Sequence, residues 1–189
     1  MSQQSPLNCV KMAAEYSFVT LPGNLAGREP RDWSRAEAEE FFLWFRRNEV
    51  IRINRLVEYV DEPVPTDPSQ WETFLLRFGR KYEKRLREHA SSGVQEGKVK
   101  LTEQGVALAN DAGILVAELL TKYPASRARW VLLNDPGNFS HHHAVVKGLE
   151  DSVYLDPVGA IYEARALVNG QKSFDLLQQT FKFWKNRIV

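Results

Sequence analysis

The chain has 189 residues, a formal net charge of +1, 43% hydrophobic residues and 11% aromatics. That is enough apolar side chain for one sizeable core, which excludes wholesale disorder, and the near-zero charge argues against naked nucleic acid as a partner. No apolar run is long enough to span a membrane, the single cysteine (Cys9) excludes an intramolecular disulfide framework, and the first twenty residues carry no secretory pattern. A cytoplasmic protein without membrane contact is the expectation.

In chain order, residues 1–15 are polar and read as a flexible N-terminal segment, followed by one domain over 16–189. Tyr16 to Leu21 alternates as a short strand would, and Pro22-Gly23-Asn24 ends it in a turn. Ser34 with Glu37 forms a capping box that opens a helix over about 34–60. Its first half is dense in aromatics, with Phe41, Phe42, Trp44 and Phe45. Its second half, a separate helical piece, puts Ile53, Leu56, Val57 and Val60 inward and Arg52 and Arg55 outward.

Pro63, Pro65 and Pro68 forbid regular structure and mark an extended connector. The helix over about 69–89 buries Trp71, Phe74, Leu75, Phe78, Tyr82 and Leu86 at three- and four-residue spacing. Its other face is basic, from Arg77 to Arg87, and reads as solvated or paired with acids. Residues 91–100 are rich in glycine, serine and charge, which predicts a mobile loop.

The helix over about 102–123 is the centre of the prediction. Thr102 is its N-cap, Pro124 follows its end, and its polar residues fall into one narrow sector. A helix so apolar around its circumference is buried on most sides. Gly113 costs it about 1 kcal/mol in propensity, which a closely passing neighbour would explain. Asp111 and Glu118 align two turns apart on the polar stripe. They read as a functional carboxylate pair, as a solvated edge, or as partners for arginines.

Arg129 to Leu133 reads as a strand and Asn134-Asp135-Pro136-Gly137 as a tight turn. Residues 142–148, 152–155 and 161–168 read as further strands, and a helix over about 172–187 closes the chain. Helices first and strands later predict an α+β fold, with helices packed on a small, mainly antiparallel sheet formed largely by residues 129–168.

Three groups of residues could carry chemistry. On a strand, His141 and His143 would share a face and His142 would point away, with Asp135 or Asp156 as a third ligand. No helical His-x-x-x-His and no Cys/His spacing supports this set, so no metal and no cofactor are expected. Cys9 heads a possible short helix whose N-terminus would lower the thiol pKa. The order Cys9, His143, Asp156, with the histidine opening a strand and the acid closing the next, resembles papain-like cysteine peptidases; it implies a thiol nucleophile, its base and an orienting acid. Cys9 lacks that family's usual flanking glycine and tryptophan. There is no glycine-rich phosphate loop and no GxSxG.

A second resemblance rests on Phe18 to Gly23, the stretch from Trp33 to Phe41 with Trp44-Phe45 and Arg52, Leu108-Ala109-Asn110-Asp111-Ala112-Gly113, and Trp130 followed by Val145 to Gly148. These stretches look like small bacterial proteins similar in character to toxin-neutralising immunity proteins. The resemblance implies a non-enzymatic protein that acts by binding a toxin or effector, and leaves Cys9 outside the shared part. On that reading the surface to watch comprises Asp111, Glu118, Asp135, His141, His142 and His143.

Overall fold

In a computed structural model, the structure describes Tyr16 and residues 21–91, 99–150 and 153–188. The order of elements is α1 (Arg35–Val60), α2 (Trp71–Glu88), β1 (Ala90–Ser91), β2 (Lys100–Leu101), α3 (Glu103–Thr121), β3 (Arg129–Leu132), β4 (Ala144–Lys147), α4 (Gly159–Val168) and α5 (Leu176–Lys185). The fold is α+β, with helices dominating it.

Local rules explain most helix boundaries. The Ser34–Glu37 capping box forms in both directions and starts α1. α1 then runs unbroken for 26 residues, so the two predicted pieces are one helix; it stops at Asp61, whose φ of 59° is left-handed. Thr102 caps α3 by accepting from the Gly105 amide at 3.1 Å. The proline-rich connector between α1 and α2 has no regular structure apart from a turn of 3-10 helix over Pro68–Gln70.

α3 is the axis of the molecule. It packs against α1, α2, α4 and α5, and Leu108, Ala112, Leu115 and Leu120 are among its many residues lost to solvent. The predicted reason for Gly113 holds: a Cβ there would collide with the Pro157 carbonyl oxygen and with Ala160. The start of α4 therefore rests directly on the α3 backbone. Gly79 does the same for α2, where a side chain would strike the Phe174 carbonyl in the approach to α5.

The sheet is smaller than its prediction. β3 and β4 pair antiparallel in the register Arg129↔Lys147, Trp130↔Val146, Val131↔Val145 and Leu132↔Ala144. Leu155 adds one bridge to Val146, exchanging hydrogen bonds of 2.9 and 3.0 Å, and among the described residues 153–155 it is all that pairs of the strand expected over 152–155. β1 and β2 form a separate two-residue ladder, so Ser91 and Lys100 at the ends of the expected mobile loop are ordered; residues 92–98 lie outside the described residues. So do the flexible segment expected over 1–15 and residues 17–20 of the first expected strand.

Two further expectations are corrected. Residues 161–168 are helix α4, not a strand: Ala164, Leu167 and Val168 are buried at helical spacing, and the Asp156-Pro157 turn sets the backbone up for it. Arg52 does not point outward. It is 9% exposed and reaches across to α3. A long aliphatic stem and a guanidinium that finds a carboxylate let arginine occupy an inward position that a hydropathy pattern assigns to solvent.

Candidate functional site

Asp111 and Glu118 are both interior, at 1% and 8% exposure. The Arg52 guanidinium donates to Asp111 Oδ1 through Nε at 2.6 Å, and the Tyr16 hydroxyl donates to Oδ2 at 2.5 Å. Tyr16 is itself buried, with its ring 5.0 Å from that of Tyr59. Burial pushes the Asp111 carboxyl up, and Arg52 with Tyr16 holds it back. Burial pushes the Tyr16 hydroxyl up as well, and the Asp111 charge adds to it. Seven residues on, Glu118 accepts from Trp130 Nε1 at 2.9 Å and faces Lys122 at 3.0 Å. Burial alone would raise the Glu118 carboxyl, but these donors hold it below its ordinary value. Of the three readings of this pair, partnership inside the fold is the one the geometry supports. Neither carboxylate offers a surface for contact.

The three consecutive histidines occupy a turn, not a strand, because β4 begins only at Ala144. The strand geometry that would have paired His141 with His143 is absent. His142 takes a left-handed φ of 65°, is 4% exposed, and donates from Nδ1 to the Pro30 carbonyl at 3.1 Å. Its ring stacks on His141 with centroids 3.7 Å apart. Among the described residues, no group of three or more His, Cys, Asp or Glu converges to hold a metal ion.

The segment from Asn134 to His143 is nonetheless closely held. Asp135 Oδ1 accepts from the Gly137 amide at 3.2 Å. Asn138 Oδ1 accepts from the Ser140 amide at 2.9 Å and from the Tyr154 hydroxyl at 2.6 Å. Backbone bonds from His142 N to Leu133 O (2.7 Å) and from Leu133 N to His143 O (2.9 Å) close its base. At its tip Phe139 is 71% exposed, the most exposed large hydrophobic among the described residues, and Asp135 in the same turn is exposed too. Composition and periodicity gave no sign of Phe139; only the turn signal around Asn134 to Gly137 was legible.

His143 and Asp156 do meet. Nδ1 lies 2.7 Å from Oδ2. Burial would raise the Asp156 carboxyl, but His143, Ser140 and the Val158 amide hold it below its ordinary value. The ionised carboxylate only accepts, so Nδ1 donates in this contact. His143 sits on the wall of a cavity of about 790 Å³, whose other described lining includes Trp33, Phe41, Trp44, Arg52 and Asn110. The third member of the predicted set, Cys9, lies outside the described residues.

The basic face of α2 is largely engaged. Arg77 and Lys81 pair with Glu62, Arg85 with Glu88, and Arg87 with Glu83. No helix among the described residues is long and apolar enough to cross a membrane. In comparisons with protein-family models, curated proteins and solved structures, nothing matches the chain.

Glu49, like Asp111, is an acid that burial leaves at a disadvantage. Burial and the Glu118 charge raise the Glu49 carboxyl to about 7, and Arg46 and Lys122 offset this only in part. A carboxyl raised on folding stabilises the native state below its unfolded pKa and loses that contribution as pH climbs through the folded value. Urea unfolding should therefore show Glu49 costing on the order of 2 kcal/mol between pH 4.5 and pH 8, with Glu49→Gln removing that decline. An identical pH slope in wild type and Glu49→Gln would contradict this.

Proposed function

We propose that the chain is a non-enzymatic protein that binds a protein partner through the Asn134–His143 turn, as a cytoplasmic immunity-type inhibitor of a toxin or effector would. The observation that carries the reading is Phe139: a 71% exposed aromatic at the tip of a turn pinned by side-chain and backbone hydrogen bonds. Phe139 meets the His143 ring edge to face at 6.4 Å, and a rigid turn loses little entropy on docking. Large anchors presented on preorganised backbone are where binding energy concentrates. Asp135 is exposed and His141 half-buried in the same turn, whereas Asp111, Glu118 and His142 serve the turn and core from inside.

The test is affinity capture with wild type, Phe139→Ala and Tyr162→Ala, the last removing another exposed aromatic, on α4. Phe139→Ala should leave the melting temperature unchanged and weaken the captured partner about 30-fold, which corresponds to roughly 2 kcal/mol. Capture that survives Phe139→Ala intact removes this reading.

A second reading, a cysteine hydrolase of papain-like type, is favoured by the 2.7 Å His143–Asp156 contact, since that pair would orient a general base. It needs Cys9 as nucleophile. If it holds, Cys9 alkylates with iodoacetamide well above the rate of a free thiol at pH 7, and His143→Ala abolishes the excess. Alkylation at the free-thiol rate, unaltered by His143→Ala, ends it.

A further inference from the structure

A second cavity, of about 600 Å³, opens between α4 and α5 above the α3 backbone. Its size falls in the range of small-molecule sites, which pair an apolar interior with a few placed polar groups. The interior is apolar: Gly113 and Ala160 lie on its lining, and Val116, Leu176, Phe183 and Trp184 wall it. Phe183 and Trp184 meet edge to face at 5.2 Å, and Phe183 is 50% exposed at the opening.

The charged groups on its lining are not equivalent. Asp156 is occupied by His143 and by the Val158 amide. Gln179 donates to Asp175. That leaves Glu163 and Lys172. Lys172 Nζ stands 4.0 Å from Glu163 Oε2, too far for a hydrogen bond, and Oε2 is covered yet makes none among the described residues. Both side chains are about half exposed, at 45% and 49%, so they stand where a ligand would enter. A loose surface ion pair whose members make no hydrogen bond to one another complements a ligand that carries both charges close together above an apolar body.

We propose that this cavity binds a free α-amino acid with a large apolar side chain. The ligand's ammonium lies against Glu163, its carboxylate against Lys172, and its side chain fills the space beside Phe183 and Trp184. One tetrahedral carbon separates the ligand's two charges, which suits a pair of protein charges that stop short of contact. The site is separate from the Phe139 turn and does not depend on it.

The probe is L-phenylalanine, titrated calorimetrically into the full chain, with 2-phenylethylamine and 3-phenylpropionate as analogues that each lack one charge. Saturable binding at one site is expected, with either analogue at least tenfold weaker. Glu163→Gln and Lys172→Gln lie at the surface, so the fold should survive them, and each should weaken L-phenylalanine at least tenfold. Thr180→Phe, which fills the cavity from its lining, should abolish binding while leaving the melting temperature intact. No saturable binding at millimolar L-phenylalanine overturns the proposal. So does equal affinity for an analogue, or affinity that none of the three variants changes.

Discussion

The buried contact among Tyr16, Arg52 and Asp111 is the constraint on which the rest of the structure depends. It fastens α1 to the centre of α3 and brings Tyr16 against both. A guanidinium and a carboxylate both lost to solvent are tolerable only because each satisfies the other and the tyrosine hydroxyl takes the remaining oxygen. Removing one partner would leave an uncompensated charge at the axis of the molecule. The polar stripe of α3 is therefore an internal seam. Asp111 closes it toward α1, and Glu118 closes it toward β3 through Trp130.

That seam positions the outer features. Trp130, held by Glu118 and packed edge-on to Phe45, fixes β3. β3 pairs with β4, and the ribbon carries the Asn134–His143 turn at its end. Asp156 ties His143 to the start of α4, which rests on Gly113. The turn bearing Phe139 is thus connected back to the core at both ends, and this gives an exposed aromatic a defined position. The same docking of α4 on α3 leaves the apolar cavity between α4 and α5.

Much of the helical framework was legible in the sequence because it is written in local chemistry. The capping box at Ser34, the Thr102 cap and the apolar periodicity of α2 and α3 each follow from near neighbours, and Gly113 correctly implied a close approach. The errors fell where non-local partners decide. Arg52 reads as outward until Asp111, 59 positions away, is placed opposite it. Residues 161–168 carry Ile, Tyr, Leu and Val, which suit a strand, but Ala160 and Ala164 let the segment lie close on α3 as a helix. The histidine run carries no local signal against a strand period, and a left-handed His142 breaks that period. Of the candidate sites, the His143–Asp156 contact was readable as a chain-order pattern, whereas Phe139 and the Glu163–Lys172 pair needed the fold.

The most direct measurement is native-state hydrogen exchange of the amides that pin the turn, those of His142, His143 and Ser140. A display turn fixed by the core should exchange only with large-scale opening, so these amides should approach the protection of β4. Exchange at the rate of an unstructured peptide would show that Phe139 is not held in place, and would contradict the account of how this fold presents a binding surface.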